Sequence, residues 1–517
     1  MSSIAIKPRV LSKITPGMTL ITNGNHTVEI PESIAEKFEE GDKLFAVERP
    51  KNSIHPEDMV DVLHVPKKDL LAVDEAVSKA CKAFEEFKCA SDEDITTFFR
   101  TFAAQLAKDD VWAKIVEANE KDVELATSKK RSTTRLRVSD DMRQKMIEGL
   151  EIWAASESPR GRRCDTTVHD TWTCDIVSRE LGTVAFVFEG RPNVLADAAG
   201  VLRAGNTVVL RIGSDAMGTA LAMEEACITP ALKASKLPDG SVVVLKNPTH
   251  ATSWALFADS RLRLAVARGS GRTVDLLGCI AQGSGVPVSL HGTGGAWGIL
   301  SETAVQIPNH VKTCITNSLD RKVCNTLNTI LIPKAIASTI LPSVLEGLKV
   351  AGDNLNTVVK IHAHTSIYPM MPDAMKTEDI NVIRAEGTIV EKHVEQFDNH
   401  TLLGLEWEWE GTPEVTITLV ENVDEAIALY NKHSPFFVTS LWGTDAQERK
   451  LVYQSLNAPF VGDGFTRWVD GQRALCKPEL GLSSWEQGRQ LGRPGVLTGD
   501  VITSRVLVHT TTVPIDN

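Results

Sequence analysis

The sequence predicts an α/β protein: a doubly wound parallel sheet, a second α/β domain after it, and a small β-rich segment in front. Two patterns carry this expectation. From Thr183 onward, unbroken apolar runs of strand length alternate with stretches of helical period, as parallel strands covered on both faces require. From Leu71 to Trp153 the period is helical throughout. The length of 517 residues asks for two or three domains.

Composition narrows the function. With 42% hydrophobic and 24% charged residues the chain reads as a soluble globular protein. A net charge of −12 argues against general nucleic-acid binding. No apolar run approaches the length of a membrane span, and Met1 to Val10 lacks the apolar core of a signal peptide. The nine cysteines are scattered, odd in number and without a CxxC pair. That pattern points to a reducing compartment, the cytoplasm, and away from disulfides or a metal site.

In chain order, Thr19 to Thr22, Thr27 to Ile30 and Lys43 to Val47 read as short strands, with turns at Asn23-Gly24-Asn25 and Glu40-Gly41-Asp42. Residues 1–70 form an appendage with no reactive constellation, expected to be dispensable for chemistry. Val73, Ala76, Val77, Ala80 and Phe84 begin the helical part. Ile95, Phe98, Phe99, Phe102 and Leu106 follow Ser91-Asp92, and Ser139 is an N-cap for the stripe of Met142, Met146 and Leu150. Then come strand Thr183 to Phe188, a loop through Asn193, a helix closed by Gly205, and strand Thr207 to Leu210. A long helix from Ala216 to about Ala234 leads to strands Ser241 to Leu245 and Leu262 to Ala267. Further on, Val415 to Val420, Phe437 to Trp442, and Val501 to Val508 in two pieces are strand-like.

Ligands of such sheets bind at the carboxyl ends of the strands. Three loops lie there. Arg268-Gly269-Ser270-Gly271 is a Gly-rich strand–helix connection whose amides suit a phosphate, although such loops are common. Arg211, with Gly213 and Ser214 behind it, is a ribose-phosphate contact or a solvated charge. Asn193 donates to an oxyanion or caps its helix. Outside the sheet, Cys324 stands beside Arg321 and Lys322, before an apolar stretch. Cations and a helical turn starting there would stabilise the thiolate, which is the nucleophilic form; the plain alternative is a small buried hydrophobe.

Together these stretches resemble the gamma-glutamyl phosphate reductases of the aldehyde dehydrogenase superfamily. The resemblance lies in Glu189-Gly190-Arg191-Pro192-Asn193-Val194, Gly205-Asn206, Val209-Leu210-Arg211 with Gly213-Ser214, Val323-Cys324-Asn325-Thr326, and Thr466-Arg467 with Asp470-Gly471. Ile115 to Asn119 with Asp122 resembles the family's helical part, and the match runs from about Leu71 to Val508. It implies an aldehyde dehydrogenase-like fold with an NADP-binding domain at 71–298 and about 478–500, a catalytic domain at 299–477, and an oligomerisation tail at 501–517. It also implies NADPH-dependent reduction of an acyl phosphate, L-glutamyl 5-phosphate, to the aldehyde in proline biosynthesis. Cys324 would form a thioester with Asn193 at the oxyanion. Arg211, Gly213, Ser214, Gly269, Ser270 and Gly271 would hold NADP(H). Glu189, Arg191, Arg321, Asn325, Thr466 and Arg467 would hold the substrate. The implied assembly is a homo-oligomer, with an upstream kinase or an acyl carrier as partner.

Three features depart from the family pattern. Asp320 stands where the family has an arginine, and no proline precedes the cysteine. Trp407-Glu408-Trp409-Glu410 is unusual, and Arg473 to Trp485 diverges. These leave two alternatives: reduction of another activated acyl group, on CoA or a carrier protein, or an inactive scaffold relative. Ser289 to Gly295 holds no carboxylate at the place where hydrolytic aldehyde dehydrogenases carry their base. His291 is then a substitute base or a structural histidine.

Overall fold

The computed structural model describes residues 12–21, 27–49, 59–129, 131, 133, 136–188, 191–384, 387–469, 474–482 and 496–512. Glu189 and Gly190, Asp470 to Arg473, and Ser483 to Trp485 at the end of the divergent stretch therefore lie outside the described residues.

A five-stranded parallel sheet runs Val288–His291, Leu264–Arg268, Thr183–Phe188, Thr207–Ile212, Val242–Val244. Successive side chains alternate between its faces. Val184 and Phe186 face a core with Phe98, Phe99 and Phe102, while Ala185 and Val187 face one with Val77, Leu256 and Leu277. Helices Asp92–Leu106 and Asp140–Ala155 start as expected: Ser91 accepts from the Asp94 N–H in a capping box, and Ser139 accepts from Met142. Gly205 closes its helical stretch at φ +80°, where a side chain would be strained. The long helix after Ser214 is not uniform. A π turn, Glu224–Ile228, separates Met217–Met223 from Thr229–Ser235. Pro230 has no N–H to donate, and the helix accommodates it there.

A second, seven-stranded parallel sheet contains Ala296–Leu300, Leu327–Pro333, Glu414–Val420 and Val438–Trp442 at its centre. The boundary expected at 298/299 falls inside its first strand. Among the described residues one helical stretch, Lys334–Asn354, is long and apolar enough to cross a membrane by composition alone. Ile340, Leu341, Val344 and Leu348 bury its apolar face against this sheet.

The N-terminal region is less separate than its sequence suggests. Lys43–Arg49 pairs antiparallel with Met59–Val65, a strand the periodicity did not reveal. Val47, Leu63 and Val65 join the core of the first sheet. Helix Lys67–Phe87 starts directly after Pro66. Two more strands went unread, Arg163–Val168 and Trp172–Glu180; the second pairs with the C-terminal strand Thr503–Thr511.

Candidate active site

The order of the first sheet reverses between Thr183–Phe188 and Leu264–Arg268, and the crevice at such a reversal is where ligands sit. Two cavities meet there. One, about 570 Å³, is lined by Arg211, Gly213, Ser214, Asp215, His250 and Thr273 among others. The other, about 510 Å³, holds Cys324, Gly269, Ser270, Gly271, His291 and Glu406. Phe188, Arg191, Arg268 and Glu408 belong to both walls.

Cys324 does not open a helix. It sits in a turn, with the Thr326 N–H bonded to the Val323 carbonyl at 3.1 Å, immediately before strand Leu327–Pro333. The cations beside it in sequence are not those beside its thiol. Arg321 is exposed, and Lys322 lies 2.5 Å from Glu406 Oε1. Burial pushes the thiol's pKa up, and Glu479 and Glu406 add to this; Arg268 and Arg191 oppose them. The expected thiolate-stabilising pair is thus replaced by two arginines from the first sheet's loops.

The other predicted residues fall into three groups. Arg191, Gly269, Ser270 and Gly271 line the Cys324 cavity, and Arg268 just before them lines both. A Cβ on Gly271 would stand 2.3 Å from Thr293 Oγ1, which requires glycine at the start of helix Gly271–Gly283. Arg211, Gly213 and Ser214 line the second cavity. Arg211 is 6% exposed, donates to the carbonyls of Pro248 and Thr249, and leaves Nε without a partner among the described residues. Burial alone lowers its pKa. Asp215, which faces the same space, is paired with Arg131 at 2.5 Å.

Asn325, Thr466 and Arg467 instead form a buried network beside Cys324. Asn325 donates to the Val469 carbonyl and accepts from Arg467, and Thr466 Oγ1 donates to the Asn325 carbonyl at 2.8 Å. Arg467 also bonds Asp320 at 2.7 Å, which gives the departing Asp320 a role in holding the turn. Asn193 does not cap its helix through its side chain; its amide donates to Asp197 at 2.8 Å. His291 is buried, lines the Cys324 cavity and bonds the Leu482 carbonyl through Nδ1.

Sequence reasoning missed the part played by the Trp/Glu run. Asn328, four residues after the nucleophile, accepts from the Trp407 N–H at 2.9 Å and donates to the Leu405 carbonyl at 2.8 Å. Trp407 stacks on His362 with centroids 3.6 Å apart. The run is thereby pinned across both cavities: Glu406 and Glu408 on the nucleophile side, Glu408, Trp409 and Glu410 on the other. Its unusual composition was the one available signal, and no spacing rule ties it to a cysteine some eighty positions earlier. Among the described residues no group of His, Cys, Asp and Glu is arranged to hold a metal ion.

Comparison with known proteins agrees with this geometry. Residues 191–370 match the model of the aldehyde dehydrogenase family. The gamma-glutamyl phosphate reductase of Thermotoga maritima is 26% identical over 424 residues, covering 80% of this chain and 93% of the relative. That of Mesorhizobium japonicum is 27% identical over 314 residues, 57% of this chain and 68% of the relative. A crystal structure of the Thermotoga maritima enzyme superposes with a TM-score of 0.70 at 23% identity, over 86% of this chain and all of that one. The propionaldehyde dehydrogenase of Rhodopseudomonas palustris, solved with propionyl-CoA, shares the fold with a TM-score of 0.57 at 15% identity, over 85% and 94% of the two chains. The chain has the aldehyde dehydrogenase-like fold and is similar in sequence to the gamma-glutamyl phosphate reductases.

Proposed function

We propose that the chain reduces an activated acyl group to an aldehyde with NADPH, and that the substrate is an acyl phosphate, L-glutamyl 5-phosphate, as in proline biosynthesis. The observation that carries this reading is the shared wall. A cysteine-bearing cavity and a crevice at the strand ends meet at Phe188, Arg191, Arg268 and Glu408. The sulfur of Cys324 attacks the acyl carbon and phosphate departs with the bonding electrons, leaving a thioester. The Cys324 backbone N–H and the Asn193 amide are the donors assigned to the oxyanion. Arg191 and Arg268 favour the thiolate and face the space the leaving phosphate occupies. Asn325, Thr466, Arg467 and Asp320 keep the nucleophile's turn in place.

The crevice fits a nicotinamide dinucleotide, which supplies the hydride. Arg211 is a largely buried cation in the wall of this crevice, and a 2′-phosphate is the charge it would pair with. Asp215, the residue that favours a 2′-hydroxyl, is occupied by Arg131. Gly213 and Ser214 border this crevice, and the Gly269–Gly271 loop borders the adjoining Cys324 cavity. We place the protein in the cytoplasm as a homo-oligomer. Its cofactor domain is the one built on the first sheet and its catalytic domain the one built on the second, which begins with strand Ala296–Leu300.

The test is NADPH oxidation with synthetic acyl phosphate, acyl-CoA and carrier-bound acyl donors offered in turn. Turnover with the acyl phosphate, lost in Cys324→Ala while NADPH still binds, is the expected result. Turnover with the thioesters alone moves the substrate to CoA or a carrier. No turnover with any donor, and no reaction of Cys324 with thiol probes, favours a scaffold.

A further inference from the structure

The nucleophile has a carboxylate beside it that its own stretch of sequence does not supply. Glu406 has a side chain 13% exposed, and it lines the Cys324 cavity. One oxygen accepts the Gly294 N–H and the other faces Lys322 Nζ at 2.5 Å. Gly294 is the point of contact. A Cβ there would lie 2.7 Å from Cys324 Cα and 2.8 Å from Glu406 Oε1. Only a residue without a side chain lets the two approach. Each carboxylate oxygen carries two acceptor sites, so one bond on each leaves capacity toward the cavity. The Lys322 ammonium and the Gly294 N–H hold the carboxylate in place at the cavity wall. The second carboxylate on this wall, Glu408, is 67% exposed and 3.9 Å from Lys322. Leu290 to Gly295 contributes none.

We propose that Glu406 is the general base that directs water onto an acyl group carried by Cys324, so that the chain has an acid-forming, thioester-hydrolysing activity beside the reductive one. The proposal rests on Cys324 being the nucleophile. Water adds through oxygen to the thioester carbon while one of its protons passes to Glu406. The tetrahedral adduct collapses by breaking the carbon–sulfur bond. Sulfur leaves with the electron pair and takes the proton back from Glu406. A carboxylic acid and a thiol result, with no change of oxidation state and no co-reactant but water.

The test needs neither cofactor nor the native substrate. The full-length chain is mixed with 4-nitrophenyl acetate in buffer free of phosphate and thiols. Acylation of Cys324 releases one equivalent of nitrophenolate per site as a burst, and deacylation by water sets the rate that follows. In Glu406→Gln the acetyl group is expected to persist on the Cys324 peptide. The steady rate should fall at least about tenfold, since general-base assistance is typically worth about 10²–10⁴-fold. Hydroxylamine, a nucleophile that needs no base, should restore deacylation. A steady rate unchanged in a variant that still gives the full burst overturns the proposal. If that variant does not fold, the wild-type pH profile decides. A steady rate that levels off above the carboxylate range supports a carboxylate base; one that climbs in proportion to hydroxide throughout overturns it. A missing wild-type burst, or one that survives Cys324→Ala, overturns the nucleophile reading and the proposal with it.

Discussion

The arginines around the sulfur set what Cys324 does at neutral pH. Its thiol is pushed up by burial first and by Glu479 and Glu406 next, against Arg268 and Arg191. A raised thiol pKa means little thiolate at neutral pH, so alkylation of Cys324 by iodoacetamide should keep rising past the pH where a free thiol levels off. Arg191→Gln removes one of the two cations that favour the thiolate and should slow the reaction further at fixed neutral pH. A rate already on its plateau at pH 7, or faster in Arg191→Gln, contradicts this charge arrangement. On the cofactor side, Arg211→Ser should raise the KM for NADPH and leave that for NADH nearly unchanged. Hydrogen bonds to a charged group are worth about 1.5–3 kcal/mol, or roughly 10–150-fold. Equal effects on both cofactors would remove Arg211 from the 2′-phosphate.

At the scale of elements, the N-terminal hairpin is the clearest surprise. Its sequence carries no chemistry, which suggested that the first 70 residues are separable. The hairpin nevertheless inserts Val47, Leu63 and Val65 into the core behind the first sheet. Asp61 pairs with Arg49 at 2.5 Å and stands 3.6 Å from Arg272, at the start of the helix that follows the Gly-rich loop. Leu63 is 7% exposed, so Leu63→Ala should cost about 2–5 kcal/mol, a large part of the roughly 5–15 kcal/mol that holds a domain folded. Thermal or urea denaturation reads this directly, and a chain beginning at Lys67 should lose more. An unchanged midpoint would restore the hairpin to an appendage. Four strands of the first sheet were legible because they are apolar on both faces, and the caps at Ser91 and Ser139 because they are local; the fifth, Val288–His291, is short and half polar and was not. Met59–Val65, Arg163–Val168 and Trp172–Glu180 were not: they alternate or stay polar, and only distant partners hold them as strands. The choice of Cys324 rests on its neighbours in sequence. Its electrostatic partners were not legible there, since Arg191, Arg268, Glu406 and Glu479 reach it from four separate stretches of the chain.

The whole molecule ends in a sheet that one chain does not cover. Thr503–Thr511, Trp172–Glu180 and Arg163–Val168 form a three-stranded antiparallel layer whose two outer edges have no partner strand among the described residues. Val168 is 73% exposed, Leu507 70%, Val508 42% and Trp172 38%. Long open edges with apolar side chains are what soluble proteins usually blunt or bury. Nothing in the cavities calls for these side chains, and the layer contributes none of the residues around Cys324. A second copy of the chain, bringing the same surface by symmetry, would cover it at no cost in new chemistry. Leu507→Asp places a carboxylate on this surface. In a single chain that change is nearly neutral, because the side chain already faces water. In an assembly it leaves an uncompensated charge inside an apolar contact, which is strongly unfavourable. Sedimentation velocity should therefore show the wild type as an oligomer and Leu507→Asp as a smaller species, with the two melting alike when each is measured as a monomer at high dilution. A wild type that sediments as a monomer at every concentration, or a Leu507→Asp chain that assembles normally, would mean that this layer is not where copies meet.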